Sequence, residues 1–455
     1  MSPHKGLAPL RRIVNFLGRF AGNRRGAIAV QAALCAGPIL VMTFGALDIA
    51  NASQEKTRLQ DALDAAALAA ARSPATTDAG LAAVGDPTLA ADMTGSKATV
   101  TSKSFHLDGS KVMASATAKV PALIAGIWSQ GDMTIGVKAE VVRASNDVEV
   151  ALVLDTTGSM AGTRIDDLKT AAKDLIDIVV KTNQTPFYTK VALVPYSMAV
   201  NVGSTYATQV RGSYTAGTCT TPGCASFKFT NPSGNFKTFA ISNCVSERTG
   251  ADAFTDAAPS AAPLGRNYPA SGNPCIASTI VPLSSDRDFL KGKVDALSAS
   301  GSTGGHIGVA WGWYMVSPRF GYLWPSASQP AAYGGEHLLK VVVLMTDGEY
   351  NSTYCKGVIS QDSTSGSGSS SDHINCDAPN GSAFTQSQTL CTNMKAAGVI
   401  VYTVGFDVVN DQRAKDLVNG CATDAQHVYL PSTGVALQDA FRAIGRDIDS
   451  LRLSK

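Results

Sequence analysis

The residues with the most chemical potential are oxygen donors spaced two apart. Asp155-Thr156-Thr157-Gly158-Ser159 sets a carboxylate and two hydroxyls at alternate positions. In a locally extended loop the side chains of Asp155, Thr157 and Ser159 then point the same way. Farther along, Gly301-Ser302-Thr303-Gly304-Gly305 is a flexible loop that offers Thr303, and Asp347-Gly348-Glu349 brings a second carboxylate, Asp347. Two carboxylates with neutral hydroxyls form a hard-oxygen set suited to Mg2+ or Mn2+. Mg2+ takes six ligands and keeps waters readily, so a set this sparse leaves a position open to an Asp or Glu carboxylate of a protein partner. The blander alternative is that Asp155 and Asp347 only cap helices.

These donors can cooperate only if the chain brings them to one rim. Asp155 closes the apolar run VEVALVLD, and RIDDLKTAAKDLIDIVV follows with Ile165, Leu168, Ala172, Leu175, Ile176 and Val179 on one helical face. The series continues with KVALVPYS, a helix around 306–315, LLKVVVLMTD, a helix near 386–397, VIVYTVGFD, a helix around 412–418, HVYLP and a closing helix. Apolar strands alternating with helices predict an α/β domain over 147–455, a doubly wound, mostly parallel sheet covered on both faces. Such sheets bind ligands at the carboxyl ends of their strands, where Asp155 and Asp347 stand. Two stretches break the alternation, about 201–280 and 350–385, and the second contains DSTSGSGSSSD, which reads as a flexible tract.

The N-terminal part has a different character. Residues 1–25 carry Lys5, Arg11, Arg12, Arg19, Arg24 and Arg25 without an Asp or Glu, and Gly26 to Leu47 is apolar with Gln31 its strongly polar member. Residues 26–47 are long enough to cross a hydrocarbon layer of ~30 Å. Flanking cations keep their side in the cytoplasm, which puts the rest outside it. Ala50-Asn51-Ala52 has the form of a signal-peptidase site, but the apolar stretch exceeds the ~7–15 residues of a signal peptide, so the expectation is an uncut single-pass anchor. Leu59, Leu63, Ala67 and Ala70 continue one helical face, so 48–74 is expected as a helical stalk, with Pro38 bending the helix below it. Residues 75–145 show period-two segments around a turn at Asp108-Gly109 and predict a small α+β module.

Cysteine usage agrees with an extracytoplasmic position. Cys35 lies in the apolar run, and the remaining eight are Cys219, Cys224, Cys244, Cys275, Cys355, Cys376, Cys391 and Cys421. An oxidising compartment would pair them. Eight cysteines allow 105 connectivities; sequence proximity suggests 219–224, 244–275, 355–376 and 391–421.

Other function classes are poorly served. A net charge of +2 with no basic stripe disfavours nucleic acid. The six histidines form no recognised arrangement, His337 is not in HExxH, Ser159 lacks the glycine of a nucleophile elbow, and no Walker A sequence occurs. The enzymatic alternative is a metal-dependent phosphohydrolase built on Asp155 and Asp347; another is a purely structural envelope protein with a vestigial site. Trp311, Trp313, Tyr314, Tyr322 and Trp324 read mostly as core, with some available to a partner surface.

Asp155-x-Thr157-x-Ser159 with Thr303 and Asp347 resembles the metal-ion-dependent adhesion site (MIDAS) of von Willebrand factor A-type domains. The resemblance implies that these five residues hold the ion, Mg2+ or Mn2+, directly or through water; with the catalytic arrangements above lacking, the domain is expected to be a protein-binding module and not an enzyme. Thr157 stands where the pattern more often has Ser, and keeps the hydroxyl. RRGAIAVQAALCAGPILVMTFGALDIA followed by LQDALDAAALAAA resembles the N-terminus of TadG-like proteins of tight-adherence (Flp) pilus systems, and AFRAIGRDIDSLRLSK fits their ending. That likeness implies a bacterial inner-membrane protein acting in pilus assembly or surface adherence, partnered by a pilus component or surface receptor. Gly26 is followed five residues on by Gln31 where processed relatives have Glu, a departure from the prepilin-peptidase pattern.

Overall fold

The computed structural model describes residues 25–73, 75, 77–108, 111–122, 131–142, 146–185, 187–348 and 350–453. The basic segment up to residue 24 and Gly109 of the expected turn lie outside the described residues. The chain is mixed α/β and forms two compact units, Met1–Arg143 and Ala144–Lys455.

In the first unit, helix α1 (Arg25–Arg72) runs through Pro38, and at 1.5 Å per residue it is ~70 Å long. Its lower half exposes large apolar side chains, Val30 at 60%, Leu34 at 71% and Met42 at 74%. By length and composition this helix is able to cross a membrane. Helix α2 (Asp78–Asp92) is capped by Thr77, whose Oγ1 accepts from Gly80 N. Strands β1 (Thr99–Asp108), β2 (Lys111–Val120) and β3 (Met133–Val142) form an antiparallel sheet in that order. Val112, Ala114, Ala116, Ala118 and Val120 of β2 and Ile135, Val137 and Ala139 of β3 turn to one face.

Against that face lie Leu59, Ala62, Leu63, Ala66, Ala67 and Ala70 of α1, all buried. The 48–74 segment was expected to stand clear as a stalk. From Ala52 onward it is the core helix of the small module instead, because its alanine-rich stripe lets helix and sheet approach closely. A lone helix and a packed one share the same periodicity, so spacing alone does not separate them.

The second unit begins with β4 (Asp147–Asp155), α3 (Thr163–Val179) and β5 (Thr189–Tyr196). An insertion follows, with β6 (Val200–Asn201), α4 (Gly203–Arg211), β7 (Thr215–Cys219), β8 (Cys224–Thr230), β9 (Phe236–Ala240), β10 (Cys244–Ser246) and β11 (Gly265–Arg266). Next come β12 (Val281–Ser284), α5 (Arg287–Asp295), α6 (Gly305–Val316) and β13 (Leu338–Thr346). The hairpin of β14 (Tyr354–Cys355) and β15 (Val358–Ile359) lies in the second insertion. The chain ends with α7 (Ala383–Ala396), β16 (Ile400–Gly405), α8 (Gln412–Cys421), β17 (Val428–Tyr429) and α9 (Gly434–Leu453).

The main sheet has the order β12-β5-β4-β13-β16-β17, parallel throughout except for β12. Along β4, Ala151 and Val153 join a core with α6 and α7, while Val148, Val150, Leu152 and Leu154 join another with α3, α5 and α9. Burial on both faces explains why the strand is apolar at every position from Val150 to Leu154. Helix α6 lies flush on the sheet: a Cβ at Gly308 would come within 2.7 Å of the Tyr196 ring, and one at Gly312 within 2.6 Å of Val153. Trp311, Trp313, Tyr314 and Trp324 are core residues, whereas Tyr322 is 54% exposed.

Disulfides join Cys219 to Cys224, Cys244 to Cys275, Cys355 to Cys376 and Cys391 to Cys421, and Cys35 is free. The serine-rich tract of the second insertion is folded into turns, with Ser367 buried and its hydroxyl donating to Thr364 O at 2.9 Å.

At the opposite end of β4 from Asp155, the buried Glu149 carboxylate accepts from Lys340 Nζ (2.5 Å), Tyr188 OH (2.9 Å) and Ala331 N (2.7 Å). Removing the cation leaves this carboxylate in the core without its counter-ion. Lys340→Ala is expected to destabilise the second unit by about 3–5 kcal/mol in urea unfolding; a loss under ~1 kcal/mol, the value of an exposed pair, would show that Glu149 is not held by charge.

Candidate metal centre

Asp155 is the last residue of β4, and Thr346, preceding Asp347, is the last of β13, the neighbouring parallel strand. The pairing therefore delivers both carboxylates to one rim of the sheet. Asp155 is fully buried and held by four donors. Its Oδ1 accepts from Thr157 N (2.9 Å) and Thr157 Oγ1 (2.6 Å), and its Oδ2 from Tyr196 OH (2.8 Å) and Thr346 Oγ1 (3.0 Å). Thr157 Oγ1 lies 2.9 Å from Ser159 Oγ, which donates to Asp347 Oδ1 at 2.8 Å. Four oxygens from Asp155, Thr157, Ser159 and Asp347 thus form a continuous chain.

The Thr303 loop flanks this chain through its backbone: Gly158 N donates to Gly301 O (2.8 Å) and Ser300 N to Thr156 O (2.9 Å). Ser302 Oγ accepts from Asn273 Nδ2 (2.5 Å) and Ser352 Oγ (2.9 Å), which turns that hydroxyl away. Thr303, buried, is held by its backbone, its N donating to Asn351 Oδ1 at 2.9 Å. Among the described residues no hydrogen bond joins the Thr303 side chain to the four oxygens. Among the described residues no three His, Cys, Asp or Glu side chains converge there as ligands; the described donors at this rim are two carboxylates and neutral hydroxyls.

Sequence reasoning missed four residues of the site. Tyr196 pairs in register with Asp155 on β5, and Thr346 sits one position before Asp347; strand register would have found both. Arg164, on α3, donates to Asp347 Oδ2 (3.2 Å) and to Asp407 Oδ2 (2.5 Å), and its guanidinium lies over the Phe406 ring. Asp407 adopts φ 58, a conformation unusual for a non-glycine residue. Neither carries a signal in the sequence, since an arginine in the first turn of an amphipathic helix reads as an exposed cation.

The electrostatics favour a positive charge here. Burial, and after it the nearby Asp347, push the Asp155 carboxyl up to about 6. Burial also raises Asp347, against the Ser159 hydrogen bond and Arg164, which lower it.

Residues 26–73 match the sequence model of the Flp pilus-assembly TadE/G-like family. No curated protein sequence matches this chain. The fold is distantly similar to the vWF domain of the type V pili tip protein Mfa5 from Porphyromonas gingivalis, at a TM-score of 0.39 and 12% identity over 68% of this chain and 97% of that one. It is also similar to the adhesive tip pilin GBS104 from Streptococcus agalactiae (TM-score 0.38, 11% identity, 66% and 100% covered). A third likeness is to the pilus adhesin SpaC from Lactobacillus rhamnosus GG (TM-score 0.35, 13% identity, 77% and 34% covered).

A carboxyl raised on folding takes up a proton between its unfolded and folded pKa values, so its penalty is absent below 3.8 and fully felt above about 6. In chelator, Asp155→Asn is therefore expected to stabilise the second unit at pH 7 by about 1–3 kcal/mol, a gain that shrinks towards pH 4. Thermal melts at both pH values check this, and a gain independent of pH would refute the charge account.

Proposed function

We propose that this chain is a membrane-anchored, extracytoplasmic protein-binding module of an Flp (tight-adherence) pilus system, acting in pilus assembly or surface attachment. Its second unit is a von Willebrand A-type domain, whose Mg2+ or Mn2+ captures an Asp or Glu carboxylate of a partner. The anchor is the apolar half of α1, placed in the inner membrane of a bacterium with the N-terminus cytoplasmic. The likeness of residues 26–73 to TadE/G-like proteins supports the pilus context.

The observation that carries the metal reading is the oxygen chain. Its successive spacings are 2.6, 2.9 and 2.8 Å. Adjacent ligands of an octahedron at 2.0–2.1 Å from Mg2+ stand roughly 2.9 Å apart. Thr157, Ser159 and the two carboxylates are thus already at ligand spacing, held by hydrogen bonds that a cation would replace. Thr303 would join through water from the flanking loop. With Asp155 immobilised by Tyr196, Thr346 and Thr157, and Asp347 half-neutralised by Arg164, the protein supplies little net negative charge. The cation keeps its appetite for one more anion.

The test uses the full chain in detergent. Mg2+ or Mn2+ titrated calorimetrically should bind the native protein, with affinity reduced by about tenfold or more in Ser159→Ala and in Asp155→Asn, a loss of at least ~1.4 kcal/mol. Capture of purified pilus components should follow the same order and be lost in EDTA. Capture that persists in EDTA and in both variants would refute metal-mediated recognition. Metal-dependent turnover of p-nitrophenyl phosphate, lost in Asp155→Asn, would instead favour the phosphohydrolase.

A further inference from the structure

The two insertions line an open cleft of about 560 Å3 away from the oxygen chain, and its charged lining is almost all of one sign. Arg211, at the end of α4, and Arg266, in β11, line it together with Lys356, against the single carboxylate of Glu247. Glu247 is already engaged: it accepts from Tyr354 N at 2.8 Å and faces His306 Nε2 at 3.3 Å. Among the described residues, none of the three cations has an ion-pair partner. Arg211 is only 4% exposed, and its Nε and that of Arg266 are buried without a hydrogen-bond partner. Their remaining bonds are to carbonyls, Arg211 Nη1 to Ser242 O and Arg266 Nη2 to Ser213 O (3.1 Å), which hold the guanidiniums without neutralising them.

Lys356 adds an independent indication. It occupies the turn of the β14–β15 hairpin with φ 53, followed by Gly357 at φ 83. A two-residue turn with both φ positive ordinarily takes Asn or Gly at its first position, and a lysine there holds a strained backbone. The turn is seated tightly against β11: a Cβ on Gly357 would lie 2.4 Å from Arg266 O, and Tyr268 N donates to Gly357 O at 2.8 Å. Lys356 and Arg266 are thereby fixed beside one cavity. The Cys244–Cys275 and Cys355–Cys376 disulfides brace the segments that carry them.

We infer that this cavity is a binding site for a small organic oxyanion, a carboxylate or a phosphate, gripped by Arg211, Arg266 and Lys356. A guanidinium that lines the cavity and is neutralised by no carboxylate matches such a group with charge-assisted hydrogen bonds. The volume falls within the ~300–1,000 Å3 of small-molecule sites. Pro222, Pro263 and Leu264 supply apolar wall for the body of the ligand. The site does not depend on the metal reading.

Calorimetric titration of the full chain in detergent with glucuronate, glucose 6-phosphate and glucose tests this. Saturable binding of one or both acidic sugars, and not of glucose, is expected, and which of them binds separates carboxylate from phosphate. Arg266→Gln and Lys356→Asn, the latter tolerant of the left-handed turn, should each weaken binding by about tenfold, and added salt should weaken it further. The same titration in EDTA should be unchanged, which separates this site from the metal centre. Failure of both acidic sugars to bind at millimolar concentration, equal binding of glucose, or undiminished binding in both variants would overturn the inference.

Discussion

The arrangement depends on two like charges being forced together by strand pairing. β4 and β13 run parallel in register from Asp147 opposite Leu338 to Val153 opposite Leu344, so the carboxylates that follow emerge side by side. A sheet buried on both faces gives such groups no route to bulk solvent along the strand. The surrounding structure answers that repulsion in three ways. Tyr196, Thr346 and Thr157 saturate Asp155 with hydrogen bonds, Ser159 bridges to Asp347, and Arg164 takes the second Asp347 oxygen. Each eases the problem without removing it, and burial first, with the neighbouring Asp347 second, keeps the Asp155 carboxyl raised. Rim architecture, hydroxyl spacing and the position of Arg164 follow from this single constraint.

Much of this was legible because burial on two faces writes itself into composition. VEVALVLD and LLKVVVLMTD are apolar at nearly every position, which is what a central parallel strand requires. The D-x-T-x-S spacing then placed Asp155, Thr157 and Ser159 together, and Asp347 followed from its strand end. What stayed hidden was whatever depends on long-range register or on packing partners. Arg164 looks like any cation of an amphipathic helix until Asp347 and Asp407 are seen across from it. β12, four residues long and antiparallel, is too short to show a period. The alanine stripe of α1 from Ala52 onward fits a free helix and a buried one equally, and the small sheet that covers it is specified far along the chain.

The insertions obey other rules from the sheet. Their strands are two to seven residues long and form small sheets separate from the main one, with a modest core of Phe227, Phe229, Tyr268, Cys355, Val358 and Ile374. Cross-links reinforce them as well: three of the four disulfides have both ends within the stretches that interrupt the alternation. The fourth joins α7 to α8, helices of the regular framework. The insertions are also tied to the framework, since Val245, Leu264, Ile276 and Tyr354 share one core with Ala151 and Val153 of β4 and with α6.

The place of β4 in the sheet also bears on mechanics. The chain arriving from the first unit enters at Asp147, and the oxygen chain sits at the far end of the same strand. Tension applied between Asp147 and Asp155 would therefore run lengthwise along β4. That strand is flanked by β5 on one side and β13 on the other, each joined to it by a parallel ladder. A pull between these two points is carried by the covalent backbone of β4 itself, while the ladders on both sides hold the strand in line. Asn146, just before the strand, is further tied to the end of α9, its N donating to Arg452 O and its Nδ2 to Leu451 O. A load entering at one end of β4 and leaving at the other would run through covalent bonds and leave the hydrogen-bonded sheet around it unstrained.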